Sequence, residues 1–251
     1  MRYKILLSYD GAPFCGWQIQ DKAPSVQECL QKALSTLLGE EISVTGAGRT
    51  DTGVHAARYV AHFDSSSSRL DADNIVYKLN AILPPSVAVH EVTDAAPDFH
   101  ARFDAVSRTY MYFINRRKDP FVERYSWRCT YPLDVSAMNR AASLLLGTHD
   151  FSSFEKTGGS NKTSICTVTE ACWSAYIPNL VSSPNDDYLV FRITADRFLR
   201  NMVRAIVGTL VEVGRGKRSP ESMSALLASH DRCSAGESVP AHALFLTDVR
   251  Y

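Results

Sequence analysis

Long apolar runs are missing from this chain of 251 residues, and none approaches the about 20 residues that a membrane-spanning helix needs. Signal-peptide anatomy is not seen in the opening stretch "MRYKILLSYDG", so we expect no secretory leader. Both absences lead us to expect a cytoplasmic protein with no membrane contact. The six cysteines (15, 29, 129, 166, 172 and 233) form no C-x-x-C pair and take no metal-ligand spacing with the seven histidines. We therefore expect no metal, and read the cysteines as reduced, mostly buried small residues. An excess of one charge is lacking as well, since 27 basic side chains balance 27 acidic ones. A polyanionic partner would have to be met by a local patch rather than by a basic whole.

What is present is ordinary globular material, 45% apolar and 22% charged, enough for one large core or two small ones. "YKILLSYDG" alternates like a strand. Ser25 and Glu28 then stand in capping-box spacing, and Val26, Cys29, Leu30, Ala33, Leu34, Leu37 and Leu38 repeat with helical period up to Gly39. "EISVTGAG" and "RYVAHFD" read as strands, "DADNIVYKLNAIL" as a helix stopped by Pro84 and Pro85, and "VAVHEVTDA" as a strand. The order is β-α-β-β-α-β, the ferredoxin-like pattern.

The second half repeats the plan with insertions. "SRTYMYFINRR" is a strand, "VSAMNRAASLLLG" a helix, "TSICTVTEACWSAYI" and "YLVFRITA" paired strands, "LRNMVRAIVGTLVEVG" a helix and "ALFLTDVRY" a last strand. We expect an α+β protein of two ferredoxin-like halves, residues 1–104 and 105–251, forming a central antiparallel sheet with a cleft between them.

Three stretches could carry chemistry. In "GAGRTDTGVHA", residues 46–56, the glycines let the backbone bend, and Arg49 and Asp51 share one side if the chain stays extended. The arginine would then hold the carboxylate charged and aimed; the plainer alternative is a turn whose Asp and Thr bond their own backbone. His55 and His62 read as packing or solvent histidines rather than as a base. In "RFLRNMVRAIVG", Arg197, Arg200 and Arg204 recur on one helix face opposite an apolar stripe, as a phosphate grip or a solvated face would. In "SRTYMYFINRRK", Tyr110 and Tyr112 share a strand face beside Arg108, with Arg116, Arg117 and Lys118 beyond; base stacking explains this, and so does an ordinary half-buried sheet. A held carboxylate, stackable tyrosines and local cationic stripes together point toward an enzyme acting on nucleic acid.

At these same residues the chain resembles the TruA family of tRNA pseudouridine synthases. "YDGAPFCGWQIQ", "GAGRTDTGVHA", "NAILPPSVAV", "FHARFDAVSRTYMY", "GTHDFSSF", "FLRNMVRAIVGTLVEVG" and "ALFLTDVRY" follow the family's blocks in order over nearly the whole length. The resemblance implies that Asp51 is the catalytic aspartate and that Arg49 displaces the target base. It further implies that Tyr110 lies against the target uracil, that Arg204 pairs with the aspartate, and that Leu246 walls the pocket. The implied substrate is the anticodon arm of tRNA, at uridines 38 to 40; the implied enzyme is a homodimer that needs no cofactor. Thr52, Tyr59, Arg197 and Ala243 depart from residues frequent in the family, which bears on substrate range rather than on reaction type. A non-catalytic RNA-binding protein of two ferredoxin-like modules is the competing reading, and a metal-dependent nuclease a third; Asp51 discriminates, because a pure binder gains nothing from an anion near RNA.

Overall fold

The computed structural model describes residues 1–67, 70–156, 158, 163–178 and 187–251. They form an α+β protein in two compact units, Met1–Val106 with Phe245–Tyr251, and Ser107–Leu244. Among the described residues no helix is long and apolar enough to cross a membrane.

The first unit is built from β1 (Arg2–Tyr9), α1 (Val26–Leu38), β2 (Val44–Gly46), β3 (His55–Asp64), α2 (Ala72–Ile82) and β4 (Val87–Asp94). This is the β-α-β-β-α-β order that periodicity predicts. In β1 every second side chain is buried, so Tyr3, Ile5, Leu7 and Tyr9 face the core. β1 pairs antiparallel with β3 on one edge and β4 on the other, Ile5 standing opposite both Ala61 and Val92. β2 lies antiparallel on β3. The Ser25 side chain accepts the Glu28 amide at the start of α1, and Gly39 closes the helix at φ 68°. α2 ends at Leu83, whose extended backbone is what the following proline requires.

The second unit contains β5 (Ser107–Asn115), β6 (Trp127–Arg128), α3 (Val135–Ser143), β7 (Gly147–Asp150), β8 (Ile165–Ala175), β9 (Tyr188–Ala195), α4 (Met202–Gly214) and α5 (Ser222–Ser229). β9 runs antiparallel between β5 and β8, with β7 on the outer side of β8. α4 is buried nearly all round, Ile206, Val207 and Leu210 being inaccessible to solvent. Each such side chain contributes about 1.5–3 kcal/mol through burial. The sequence did not announce α5, because eight residues give too few turns for a periodic signal. The final strand, β10 (Leu244–Arg250), pairs parallel with β3 through Phe245 and Leu246, and residues 245–251 belong to the first unit.

Two expectations are corrected here. The helix carrying the arginine stripe starts only at Met202, because Asn201 takes the left-handed conformation at φ 65° and ψ 3°. Arg197 and Arg200 therefore precede the helix, and no three-arginine face exists on it. The cysteines are free but not mostly buried: Cys129 and Cys166 are buried, whereas Cys172 and Cys233 are exposed. Cys172 follows from strand alternation, since its neighbour Trp173 is the residue turned inward.

Candidate active site

Asp51 sits in the segment that joins β2 to β3. Its carbonyl accepts the Val54 amide at 3.1 Å, closing a turn in which Gly53 takes φ 77°. Burial alternates across this segment: Arg49 is exposed, Thr50 buried and Asp51 half-buried. The inward residue is Thr50, and its neighbours are left for the accessible side.

Thr50 is the anchor. Its hydroxyl lies 2.9 Å from the Tyr9 hydroxyl, and its carbonyl accepts the Trp17 amide at 3.3 Å. Upstream, the Ala47 amide donates to Val60 at 2.9 Å, and the Tyr59 hydroxyl donates to the Gly48 carbonyl. Tyr59 also stacks on Trp17, with ring centroids 4.1 Å apart. Tyr59 is one of the departures from the resembling family, and here its ring fills the floor beneath the Asp51 loop.

The loop that follows β1 lies directly against the Asp51 segment. A Cβ on Gly16 would stand 2.3 Å from the Thr50 carbonyl oxygen, and Gly16 has φ 93°. A Cβ on Gly11 would stand 2.1 Å from the Val54 carbonyl oxygen. Only glycine lets the two backbones approach this closely. Sequence reasoning missed these two residues as site builders, although the spacing of glycines in "YDGAPFCGW" was a usable signal.

On the far side, His55 is fully buried and stacked on Phe245, with centroids 4.5 Å apart. Its Nδ1 lies 2.9 Å from the Gly11 amide and 3.0 Å from Asp10 Oδ1. This is a packing histidine that pins the exit of the loop. Leu246 is next along β10, opposite Ala56 and 2% exposed.

Arg49 does not do what opposite charge suggested. It makes no ion pair with Asp51 within 4.0 Å and is solvent-exposed. The loop is held by hydrogen bonds and close packing.

In the second unit, Tyr110 is half-buried on β5, its ring edge-on to Phe198 with centroids 5.0 Å apart. Arg108 donates to the Asp196 carbonyl at 2.7 Å. Tyr112 shares the strand face of Tyr110 but belongs to the core: it is 0% exposed and donates its hydroxyl to Pro240 at 3.0 Å. Burial pushes its phenol far above the usual range. The two-tyrosine platform is thus one tyrosine. Arg204 lies in the first turn of α4 and donates through Nε to Val239 at 2.7 Å. A cation in a helix's first turn opposes the macrodipole by about 0.3–1 kcal/mol. Among the described residues, no three His, Cys, Asp or Glu side chains are grouped so as to hold a metal ion.

A family model described as tRNA pseudouridine synthase matches residues 5–104 and 141–251 of this chain. The tRNA pseudouridine synthase A of Bacteroides fragilis is 50% identical over 251 residues, covering 100% of this chain and 96% of the relative. That of Bacteroides thetaiotaomicron is 50% identical over 250 residues, covering 100% and 90%. The protein of the same name from Thermoanaerobacter pseudethanolicus is 41% identical over 249 residues, covering 98% of each.

Proposed function

The chain belongs to the tRNA pseudouridine synthase family, and from that premise we propose that it acts on uridines 38 to 40 in the anticodon arm of tRNA, with Asp51 as its catalytic carboxylate. It is an isomerase: uridine becomes pseudouridine when the N1–C1′ bond breaks, the uracil turns, C5 bonds to C1′ and gives up its proton, and N1 takes one up. Atoms and electrons balance within the nucleoside, so no redox partner and no hydrolytic water enter the reaction.

The observation that carries the role of Asp51 is its setting. A half-buried carboxylate stands beside the anchored Thr50, on a loop tied to Tyr9, Trp17 and Tyr59. Rigid placement of this kind suits a group that must meet one ribose, either as nucleophile at C1′ or as base toward a sugar proton. Burying a catalytic group without fixing it would forfeit that advantage.

The remaining assignments extend from the family. Arg49 displaces the target base, Tyr110 stacks on the uracil, Arg204 pairs with the aspartate carboxylate, and Leu246 lines the uracil pocket. The absence of an Arg49–Asp51 ion pair supports the first of these, because the guanidinium is not consumed at home. A base in a stem or loop must be flipped out at a cost of a few kcal/mol, which phosphate contacts offset. We further propose that residues 1–104 and 105–251 are the two functional halves, that the protein is a cytoplasmic homodimer, and that it uses no cofactor.

The test maps pseudouridine by position in unmodified tRNA transcripts treated with wild type or Asp51→Asn. Product in the anticodon arm from the wild type alone, with both proteins binding tRNA, is the expected result. Turnover by Asp51→Asn would remove the carboxylate from the mechanism. Tight tRNA binding with no product from either protein would leave a binding module.

A further inference from the structure

The C-terminal end of α4 opens on a depression of about 590 Å³, lined by residues of the second unit alone. Two basic runs far apart in sequence meet there: Arg116, from the end of β5, and Arg215 with Arg218, from the turn after α4. Residues 105–140, which include Arg116, fall outside the segments matched by the family model.

The charges are not matched in pairs. Arg218 is held by Glu212, and the lining carboxylate of Asp134 accepts the Ala137 amide as the cap of α3. Arg117, the neighbour of Arg116, is held by Asp187 at 2.9 Å. Arg116 itself makes no ion pair with any carboxylate among the described residues. Arg215 lies over the Tyr131 ring with Cζ 3.5 Å from its centroid, which fixes the guanidinium, and it makes no ion pair with a carboxylate among the described residues. Burial pushes the Cys129 thiol up, while the Tyr131 amide and then the charges of Arg215 and Arg116 oppose the rise, so both cations bear on one buried point. Capping of a helix C-terminus accounts for Arg215 and Arg218. It does not account for Arg116, which arrives from a strand.

We infer that this depression is a phosphate site in which Arg116 and Arg215 grip a backbone phosphate of the tRNA, several nucleotides away from the target uridine. Arginine is suited to this because its planar donors match phosphate oxygens in pairs. Along α4 the distance from Arg204 to Arg215 is about 16 Å, and along β5 from Tyr110 to Arg116 about 20 Å. A phosphate held there would set register without reading sequence. The inference rests on the tRNA reading above.

The test compares wild type, the Arg116→Gln/Arg215→Gln double variant and Arg215→Lys. It reads Kd for an unmodified tRNA transcript across a salt series, kcat and KM for pseudouridine formation, the thermal midpoint, and a separate titration with inorganic phosphate. The double variant is expected to raise Kd and KM about tenfold. It should leave kcat in place, lower the midpoint by only about 2–4 °C through loss of the Arg215 stack on Tyr131, and lower the slope of log Kd against log salt by about 1–2, with Arg215→Lys keeping most of that slope. A folded double variant with wild-type tRNA affinity and slope overturns the assignment. Loss of inorganic phosphate binding with tRNA affinity unmoved overturns it too, by making free phosphate the ligand. A wild type that forms no pseudouridine counts against the synthase reading alone, because affinity and slope are read without turnover.

Discussion

Tyr59 gives its hydroxyl proton to the carbonyl of Gly48, just upstream of Asp51, and so ties the carboxylate's loop to β3. β3 is in turn fixed by its pairing with β1, and the same tyrosine ring stacks on Trp17. The position of Asp51 is inherited from the sheet. Tyr59→Phe keeps the stack and removes a hydroxyl that donates to the Gly48 carbonyl and accepts the Gly48 amide at 3.4 Å, so folding stability should fall by about 1–2 kcal/mol. Turnover should fall several-fold at unchanged KM, because placement and not affinity is lost. Urea unfolding and single-turnover assays check both; a kcat equal to wild type would show that the tether does not position the loop.

Gly16 and Gly39 both have positive φ, yet their surroundings differ. Alanine at Gly39 meets nothing within 4 Å and should cost only the left-handed backbone penalty, about 1–2 kcal/mol. Alanine at Gly16 carries that penalty and also drives a methyl against the Thr50 carbonyl, adding about 1–3 kcal/mol and displacing the Asp51 loop. Gly16→Ala should therefore lose both stability and turnover, and Gly39→Ala stability alone. Equal turnover in the two folded variants would contradict this.

His62 makes stability depend on pH. It is 6% exposed, and its Nδ1 accepts the Ala101 amide at 3.1 Å. Burial lowers its pKa, the charges of Arg2 and His100 lower it further, and Asp64 and Asp104 oppose them weakly. The unfolded chain thus takes up this proton near pH 6.5 and the folded chain only at lower pH. Its contribution is complete above about pH 6.5 and is lost as pH falls toward the folded value, by at most about 1.4 kcal/mol per pH unit. His62→Gln keeps an acceptor for Ala101 and should flatten the decline in urea midpoint between about pH 7 and pH 5.5. An unchanged decline would assign it to other groups.

The Tyr110 ring stands edge-on to Phe198, and under the proposed function it stacks on the flipped base. Tyr110→Ala should reduce kcat/KM by about 10- to 100-fold, the value of one base–aromatic stack. Tyr110→Phe should retain most activity if the ring is what matters. Similar losses in the two variants would make the hydroxyl, rather than the stack, the working part.

Local periodicity determined much of this protein in the sequence itself. Alternation in β1, the Ser25 cap and Gly39 stop of α1, and the prolines after α2 each depend on neighbours within a few residues, and each is where the sequence places it. The Asp51 block was legible for the same reason, as a glycine-bounded turn between two strands.

Tertiary structure decided what depends on residues far apart in the chain. Nothing local to Asn201 reveals that it turns left-handed and strips Arg197 and Arg200 from α4. Alternation puts Tyr110 and Tyr112 on one face, but only packing makes one half-accessible and sends the other's hydroxyl to Pro240. The approach of Gly16 to Thr50 and the meeting of Arg116 with Arg215 are products of topology. Period tells a side chain which way to face; the fold alone tells it what it will find there.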